Sequence, residues 1–519
     1  MTLNRRSLVF LALTAGLCPA LAACNALTGA DDLVIKDGDG RGGNGGSSNG
    51  SGSGAGASSG GTTGATMGEP MAAATGVNLR EVALYQGVKR PLMAGGARAD
   101  SNVPIVQGRD ALLRVFYDVV AGYNGGPVTA RLTIDGQPPL EVTQPLGGSS
   151  SDAAVDSTIN FDVPAAMMVP GMAYRIELLQ PREQSAGDNP AALYPAQGSD
   201  PIDVNGSPSA LHVKLIPLSY GADGSNRLPD TSAAQLQRYR DLFYGMYPLT
   251  SLEISVHPAV QWDGALSANG AGWETLLNSL ASFRADENAP DNVYYYGIFE
   301  PVASVAEFCS NGCVAGLGFV TTVGDTFGRT SIGIGYPGDI ATETAVHEIG
   351  HNHGRNHAPC GGPAGPDQGY PHAGGKIGTW GYDILARRFF PPTTTADVMG
   401  YCQPIWVSDY TYRRLFERVQ AVDGLNVVIP PEMLDLTWER VQIDAQGNAT
   451  FLDPVKLHRP PMADPTPVEL ESPSGTEVVE GQLYRYDHLD GGVILWPRSS
   501  AAFSAAKIQL AGQLITAIK

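Results

Sequence analysis

Apolar residues change their spacing along this chain, and each change marks a different kind of structure. Between residues 75 and 208 the period is two. Val128, Ala130, Leu132 and Ile134 alternate with Thr129, Arg131, Thr133 and Asp135, and Asp135-Gly136 follows as a turn signal. Leu113, Val115, Tyr117 and Val119 repeat the pattern, as do Tyr174, Ile176 and Leu178. Short strands with Gly/Pro-rich turns and no helical period predict a β-sandwich. From 209 to 425 strands alternate with helices. Leu211 to Leu218, Leu252 to Val260, Val293 to Phe299, Ala315 to Val320 and Ser331 to Tyr336 read as strands. Leu236, Tyr239, Phe243 and Met246 form the stripe of one helix, and Trp273 to Phe283 a second. A last helix carries Tyr412, Leu415, Phe416 and Val419 on one face, with Ser408 as its N-cap. Beyond 426 strand-like segments return, with a hairpin through Asp444-Ala445-Gln446-Gly447. The expected fold class is multidomain: an α/β domain (209–425) flanked by an N-terminal β-sandwich (75–208) and a small C-terminal β-domain (426–519).

The start of the chain is a targeting segment. Asn4-Arg5-Arg6 is a basic n-region, Leu8 to Leu17 an apolar h-region, and Leu21-Ala22-Ala23-Cys24 closes it with small residues, so 1–23 is expected to be removed. That tetrapeptide resembles a bacterial lipobox, in which the cysteine is lipidated; the alternative is an ordinary signal peptide with a coincidental Cys24. Residues 24–74 are then the lipidated cysteine and a Gly/Ser-rich tether with almost nothing to bury. The h-region is too short to span a bilayer, and no other span of about 20 apolar residues is predicted. The expected location is the cell envelope, lipid-anchored at the outer membrane, or outside the cell.

The candidate chemistry sits in His347-Glu348-Ile349-Gly350-His351-Asn352-His353-Gly354-Arg355-Asn356-His357. Positions four apart on a helix share a face, so His347 and His351 can hold one metal ion. Glu348 is rotated towards the same rim, and Val346 and Ile349 give the helix an apolar back. The predicted start is Asp339 or Thr342, either of which can cap it. Gly354 can adopt the left-handed conformation that ends a helix, so the chain can turn back and offer His357 as a third ligand. Three neutral imidazoles leave the fourth position of a tetrahedral zinc ion open, the arrangement of catalytic rather than structural sites. Downstream, Asp397-Val398-Met399-Gly400-Tyr401 reads as a tight turn centred on a methionine.

Together the motif and the turn resemble the metzincin metallopeptidases, whose pattern is H-E-x-x-H-x-x-G-x-x-H followed by a Met-turn. The resemblance implies an α/β catalytic domain with one catalytic Zn²⁺ on His347, His351 and His357, and Glu348 as general base for a zinc-activated water. It makes Met399 the apolar floor beneath the imidazoles. Tyr401 matches a tyrosine that in some subfamilies binds zinc or steadies the oxyanion. An edge strand beside the zinc helix pairs with extended substrate in that family, and Ala315 to Val320 is the candidate for it here. The loop after His357 shapes the pocket beyond the cut bond. Trp380, Tyr382, Phe389 and Phe390 are candidates for its lining or for a small local core. His353 and His372 read as hydrogen-bonding or surface residues, with a second ion at His372 as the alternative. His357 is followed by Ala358, unlike the best-known subfamilies, which leaves the subfamily open.

Composition narrows the partners. A net charge of −19 over 519 residues argues against nucleic acid, whose phosphates would be repelled. A protein or glycoprotein substrate is expected, with the membrane reached only through the N-terminal lipid, and a monomer. Apart from Cys18 and Cys24, the chain carries Cys309, Cys313, Cys360 and Cys402, an even set that suggests two disulfides in an exported protein. Cys360–Cys402 and Cys309–Cys313 are the favoured pairs of three possible connectivities. The function these readings support is an exported zinc endopeptidase acting on extracellular proteins. The alternatives are a surface adhesin or glycan-binding lipoprotein with a non-catalytic zinc site, and a glycoprotein-directed peptidase similar to the bacterial metzincins that cut mucins.

Overall fold

Strand Ala210–Tyr220 is the axis of the middle of the chain. Leu211, Val213 and Leu215 face one helical layer, whereas Ile216, Leu218 and Tyr220 face the other. A strand buried on both faces needs such a continuous apolar run. In the computed structural model, which describes residues 70–207, 209–423, 429–499, 501–510 and 512–519, this strand lies inside a six-stranded sheet. The expected signal peptide, Cys24 and most of the tether lie outside the described residues.

The order across that sheet is Ser251–Val256, Ala210–Tyr220, Val293–Phe299, Thr330–Ile334 and Gly316–Gly318, with Val260–Trp262 also paired to the axial strand. The pairings are parallel except the last, where Gly316–Gly318 runs antiparallel at the edge. The three consecutive tyrosines are explained by the layers: Tyr294 and Tyr296 face the layer that carries helix Asp339–Asn352, and Tyr295 faces the layer of helix Trp273–Asp286. Helix Ala233–Met246 packs beside the former and begins at Ser232, whose side chain accepts from the Gln235 amide. Helix Asp409–Asp423 follows, with Ser408 Oγ accepting from the Thr411 amide at 3.0 Å.

On the N-terminal side, two antiparallel sheets enclose one core that includes Val82, Leu84, Val115, Ala130, Leu132 and Ile176. The alternation read from the sequence supplies its inward-facing residues. Beyond 429 the chain forms one seven-stranded antiparallel sheet, opening on a hairpin of Leu436–Ile443 and Ala449–Leu457.

Both flanking units are joined to the middle by buried contacts. Arg109 of the sandwich is fully buried and donates to the carbonyls of Tyr247 (2.7 Å) and Leu249 (3.3 Å), just beyond a helix C-terminus. The Gln86–Gly87 turn accepts from Trp406 Nε1 at 2.8 Å and from the Tyr412 hydroxyl at 3.2 Å. At the other end, Trp438, Tyr484, Tyr486, Val493 and Leu495 share a core with Trp273, Leu277, Phe319 and Phe327. The C-terminal sheet is therefore packed onto the α/β unit rather than tethered to it.

Candidate metal centre

Helix Asp339–Asn352 carries the first two histidines, and almost all of it is buried. Neither expected cap caps it. Gly338 stands at the N-cap position and makes no side-chain bond; Asp339 is already the first helical residue and its carboxylate accepts from Arg238 at 2.6 Å. Thr342 bonds back to the Asp339 carbonyl at 2.7 Å, and Gln235 Oε1 holds the Gly338 amide at 2.9 Å. A neighbouring helix does the work of the cap. Gly354 ends the segment at φ +74°, where a Cβ would meet the Thr321 carbonyl oxygen at 2.9 Å, so only glycine fits.

The turn at Gly354 brings His357 back onto the first two rings, with ring centroids 4.6 Å (His351) and 5.4 Å (His347) away. Each Nδ1 faces a backbone carbonyl: His347 that of Val398 (2.7 Å), His351 that of Arg355 (2.6 Å), His357 that of Ala364 (2.8 Å). Such bonds place the proton on Nδ1 and leave the Nε2 lone pair inward, as in metal-bound imidazoles. His347 Nε2 and His351 Nε2 then face each other at 3.0 Å as two acceptors. Burial holds both rings well below the usual imidazole range, and pulls His357 down to about 4, so they are neutral near pH 7. Neutral convergent lone pairs suit a divalent cation, and tetrahedral ligand atoms at zinc–nitrogen bond lengths stand ~3.3 Å apart. The residues present fit a zinc ion.

The methionine turn holds this cluster from below. The Asp397 carboxylate accepts from the amides of Met399 (2.8 Å) and Ser408 (2.9 Å). The Met399 carbonyl accepts from the Ala358 amide at 2.9 Å, one residue past His357. Disulfides join Cys360 to Cys402 and Cys309 to Cys313.

Glu348 is buried against the edge strand. A Cβ on Gly316 would lie 2.3 Å from its Oε1, so glycine is needed at 316, and one on Gly318 would stand 3.2 Å from Oε2, a tight contact. Burial, reinforced by Asp487, pushes the Glu348 carboxyl well above the usual range. The Tyr401 hydroxyl lies 3.0 Å from His357 Nε2.

Two residues that the sequence reading missed complete the cluster. Asp487 and His488 project from the turn between strands Gly475–Arg485 and Gly492–Pro497 of the C-terminal sheet. Their ligand atoms and those of His347, His351 and His357 all lie within 4.8 Å of one another. Asp487 Oδ2 is 3.1 Å from His351 Nε2, and His488 Nε2 is 3.0 Å from Glu348 Oε1 and 3.1 Å from Asp487 Oδ2. His488 Nδ1 meets the Tyr401 hydroxyl. Burial pulls the His488 imidazolium down, but Asp487 and Glu348 outweigh it and raise it to about 9. Only an Asp-His pair in a Gly-rich turn hinted at this. It lies some 130 residues beyond His357, at no recognisable ligand spacing.

The remaining candidates lie elsewhere. Tyr382 packs with Tyr85, Leu112 and Phe116 of the sandwich, with Trp380 and Phe389 against the same patch. Phe390 stacks on Trp406 at 4.2 Å. Trp380, Tyr382 and Phe389 form a local core that docks the sandwich, whereas Phe390 belongs to the core of the α/β unit. His353 is buried, not on the surface: it bonds to the Ile349 carbonyl at 2.7 Å and stacks on Tyr294 at 4.5 Å. His372 pairs with Asp409 at 2.6 Å and stands apart from the metal cluster. A cavity of about 390 Å³ opens beside His351 and His357, lined on its far side by Leu483, Arg485, Tyr486, Asp487 and Leu489.

Residues 316–405, from the edge strand through the methionine turn, match the family model Peptidase M66. Among solved structures the chain is similar to metalloproteinase-II from Bacteroides fragilis, at 14% identity and a TM-score of 0.23, covering 62% of this chain and 86% of that one. At that TM-score the likeness carries no weight. No curated protein shows a significant match. The family match supports a metallopeptidase, and it spans the three histidines from the metal helix and the loop after it, but not Asp487 and His488.

Proposed function

We propose that the chain is an exported zinc endopeptidase of metzincin type that cuts peptide bonds in extracellular proteins. The observation that carries this reading is the convergence of three neutral Nε2 atoms, each fixed by a carbonyl on its Nδ1, beside a buried glutamate that is not needed to hold the ion. When bound, a zinc ion supplies a Lewis acid that polarises a carbonyl and acidifies water.

The chain's own residues do the rest. His347, His351 and His357 are the ligands, their second nitrogens fixing ring orientation. Glu348 takes a proton on its carboxylate from the attacking water and delivers it to the leaving amine. Gly316–Gly318 offers edge-strand backbone to an extended peptide, and glycine there leaves room for Glu348. Met399 is the apolar floor, and the Tyr401 hydroxyl is a donor for the developing oxyanion. A lipid on Cys24 completes the proposal, and Cys24→Ala would move the protein from the detergent phase to the soluble fraction.

The test uses zinc content and hydrolysis of a proteome-derived peptide library together. Glu348→Ala should retain zinc and lose on the order of 10²–10⁴-fold in rate, whereas His351→Ala should lose the metal. Full hydrolysis by Glu348→Ala would end the peptidase reading. Zinc undiminished in His351→Ala would end the ligand assignment.

A further inference from the structure

The edge strand that would receive a peptide is already covered. Phe319 and Tyr486 form an antiparallel bridge, the Gly318 amide donates to Asp487 Oδ1 at 2.8 Å, and the Asp487 amide donates back to the Gly318 carbonyl at 3.4 Å. Tyr486 and Asp487 thus lie against Gly318–Phe319 through a single antiparallel bridge, at the place where an added strand would pair. Three groups with proposed roles are touched by this segment: Glu348 and Tyr401 by His488, and His351 by Asp487.

Asp487 is the informative member. Its side chain is fully buried, and Oδ2 makes no hydrogen bond, although two ring nitrogens, His351 Nε2 and His488 Nε2, each lie 3.1 Å away. Of these, His351 Nε2 is itself an acceptor, because its Nδ1 carries the proton towards Arg355. Two acceptors at that separation repel unless a cation lies between them, and 3.1 Å is close to the ~3.3 Å edge of a tetrahedral zinc site. His488 is placed differently. Its Nε2 bonds to Glu348 Oε1 at 3.0 Å and lies 3.1 Å from Asp487 Oδ2 without bonding to it, so it serves Glu348 as a donor.

Resting on the peptidase reading above, we propose that the Asp487–His488 turn, just past the core residue Tyr486, occupies the cleft as a built-in pseudo-substrate, with Asp487 as a fourth protein ligand to the metal. The chain as made is then latent. The position for water or a substrate carbonyl is filled by Asp487, the general base is engaged by His488, and the edge strand is already paired. The strands on either side stay in place, because Tyr484, Val493 and Leu495 are buried in the core shared with Trp273 and Phe319. Activation therefore requires displacement or cleavage of the turn alone, beside the open cavity.

The test substitutes Asp487 in the full-length, zinc-loaded protein. Zinc affinity is read by competition with a chelator, the ligand field by visible absorption of the cobalt-substituted protein, and activity on a peptide library. Asp487→Ala should weaken zinc binding by roughly 10–100-fold, the scale on which site groups tune metal affinity. It should also shift the cobalt bands and raise the rate of hydrolysis at least roughly tenfold. Asp487→Asn keeps an acceptor for the Gly318 amide, and its weaker zinc binding decides the ligand role if the alanine variant does not fold. Unchanged zinc affinity and cobalt bands would overturn the ligand assignment. Slower hydrolysis by zinc-loaded Asp487→Ala would overturn latency, making the turn part of the catalytic apparatus. If no form cleaves any peptide, the peptidase reading and the latency both fail, while affinity and cobalt bands still decide whether Asp487 is a ligand.

Discussion

Met399 lies directly beneath Gly350 of the metal helix, its sulfur 2.5 Å from where a Cβ would stand. The contact joins the turn that holds His347 through the Val398 carbonyl to the helix that carries His347 and His351. Gly350→Ala should push Met399 down and separate the two, destabilising the protein by about 1–3 kcal/mol through overpacking. Thermal unfolding and zinc affinity check this. Melting and zinc binding like the unaltered protein's would show that the floor yields without consequence.

Tyr401→Phe removes one hydroxyl next to His357 Nε2. If that hydroxyl donates to the oxyanion, kcat should fall by about 10²–10³-fold with zinc content unchanged. A nearly silent substitution would reduce Tyr401 to packing.

The Cys360–Cys402 bridge spans 42 residues and ties the loop after His357 to the methionine turn. Replacing both cysteines with alanine should lower stability by roughly 3–4 kcal/mol, chiefly through the freer unfolded chain. Non-reducing peptide mapping of the unaltered protein, followed by urea unfolding of the double variant, measures both parts. A peptide pairing Cys360 with Cys309 would refute the connectivity.

Arg109 donates to the Tyr247 and Leu249 carbonyls, and to that of Gly245 at 3.5 Å, inside a fully buried contact. Arg109→Leu leaves those carbonyls without their charged donor, a loss of about 1.5–3 kcal/mol or more. The readout is unfolding together with limited proteolysis between the sandwich and the α/β unit. Unaltered melting would argue that the sandwich is held by its aromatic patch alone.

Glu343, one turn before His347, is raised to about 7 by burial and, secondarily, by Asp339, against the ordinary 4.5. The folded state therefore keeps its proton to higher pH than the unfolded chain. Its contribution to stability is fully present below pH 4.5 and is lost as pH rises through about 7. Glu343→Gln should flatten that fall by up to about 3 kcal/mol, seen by urea unfolding at both ends of the range. Parallel pH profiles for the two proteins would exclude Glu343 as the source.

What the sequence alone determined is local. Two histidines four apart meet on a helix because the repeat is 3.6 residues, and a glycine at 354 lets the chain reverse within a few bonds. The alternation at 128–134 and the hairpin at 444–447 were legible for the same reason: backbone geometry between near neighbours is almost constant. The caps at Asp339 and Thr342 failed because a residue from another helix, Gln235, does their work. What only the tertiary structure decided is which distant segments meet. Trp380, Tyr382 and Phe389 are apolar enough for a pocket or a core, and the sandwich face at Tyr85 and Phe116 selects the core. Asp487 and His488 lie some 130 residues from His357. Burial of Trp438, Tyr484 and Val493 against the α/β unit brings them to the metal cluster. Hydrophobic burial is non-directional: the pattern of a strand records that one face is covered, but not which partner covers it.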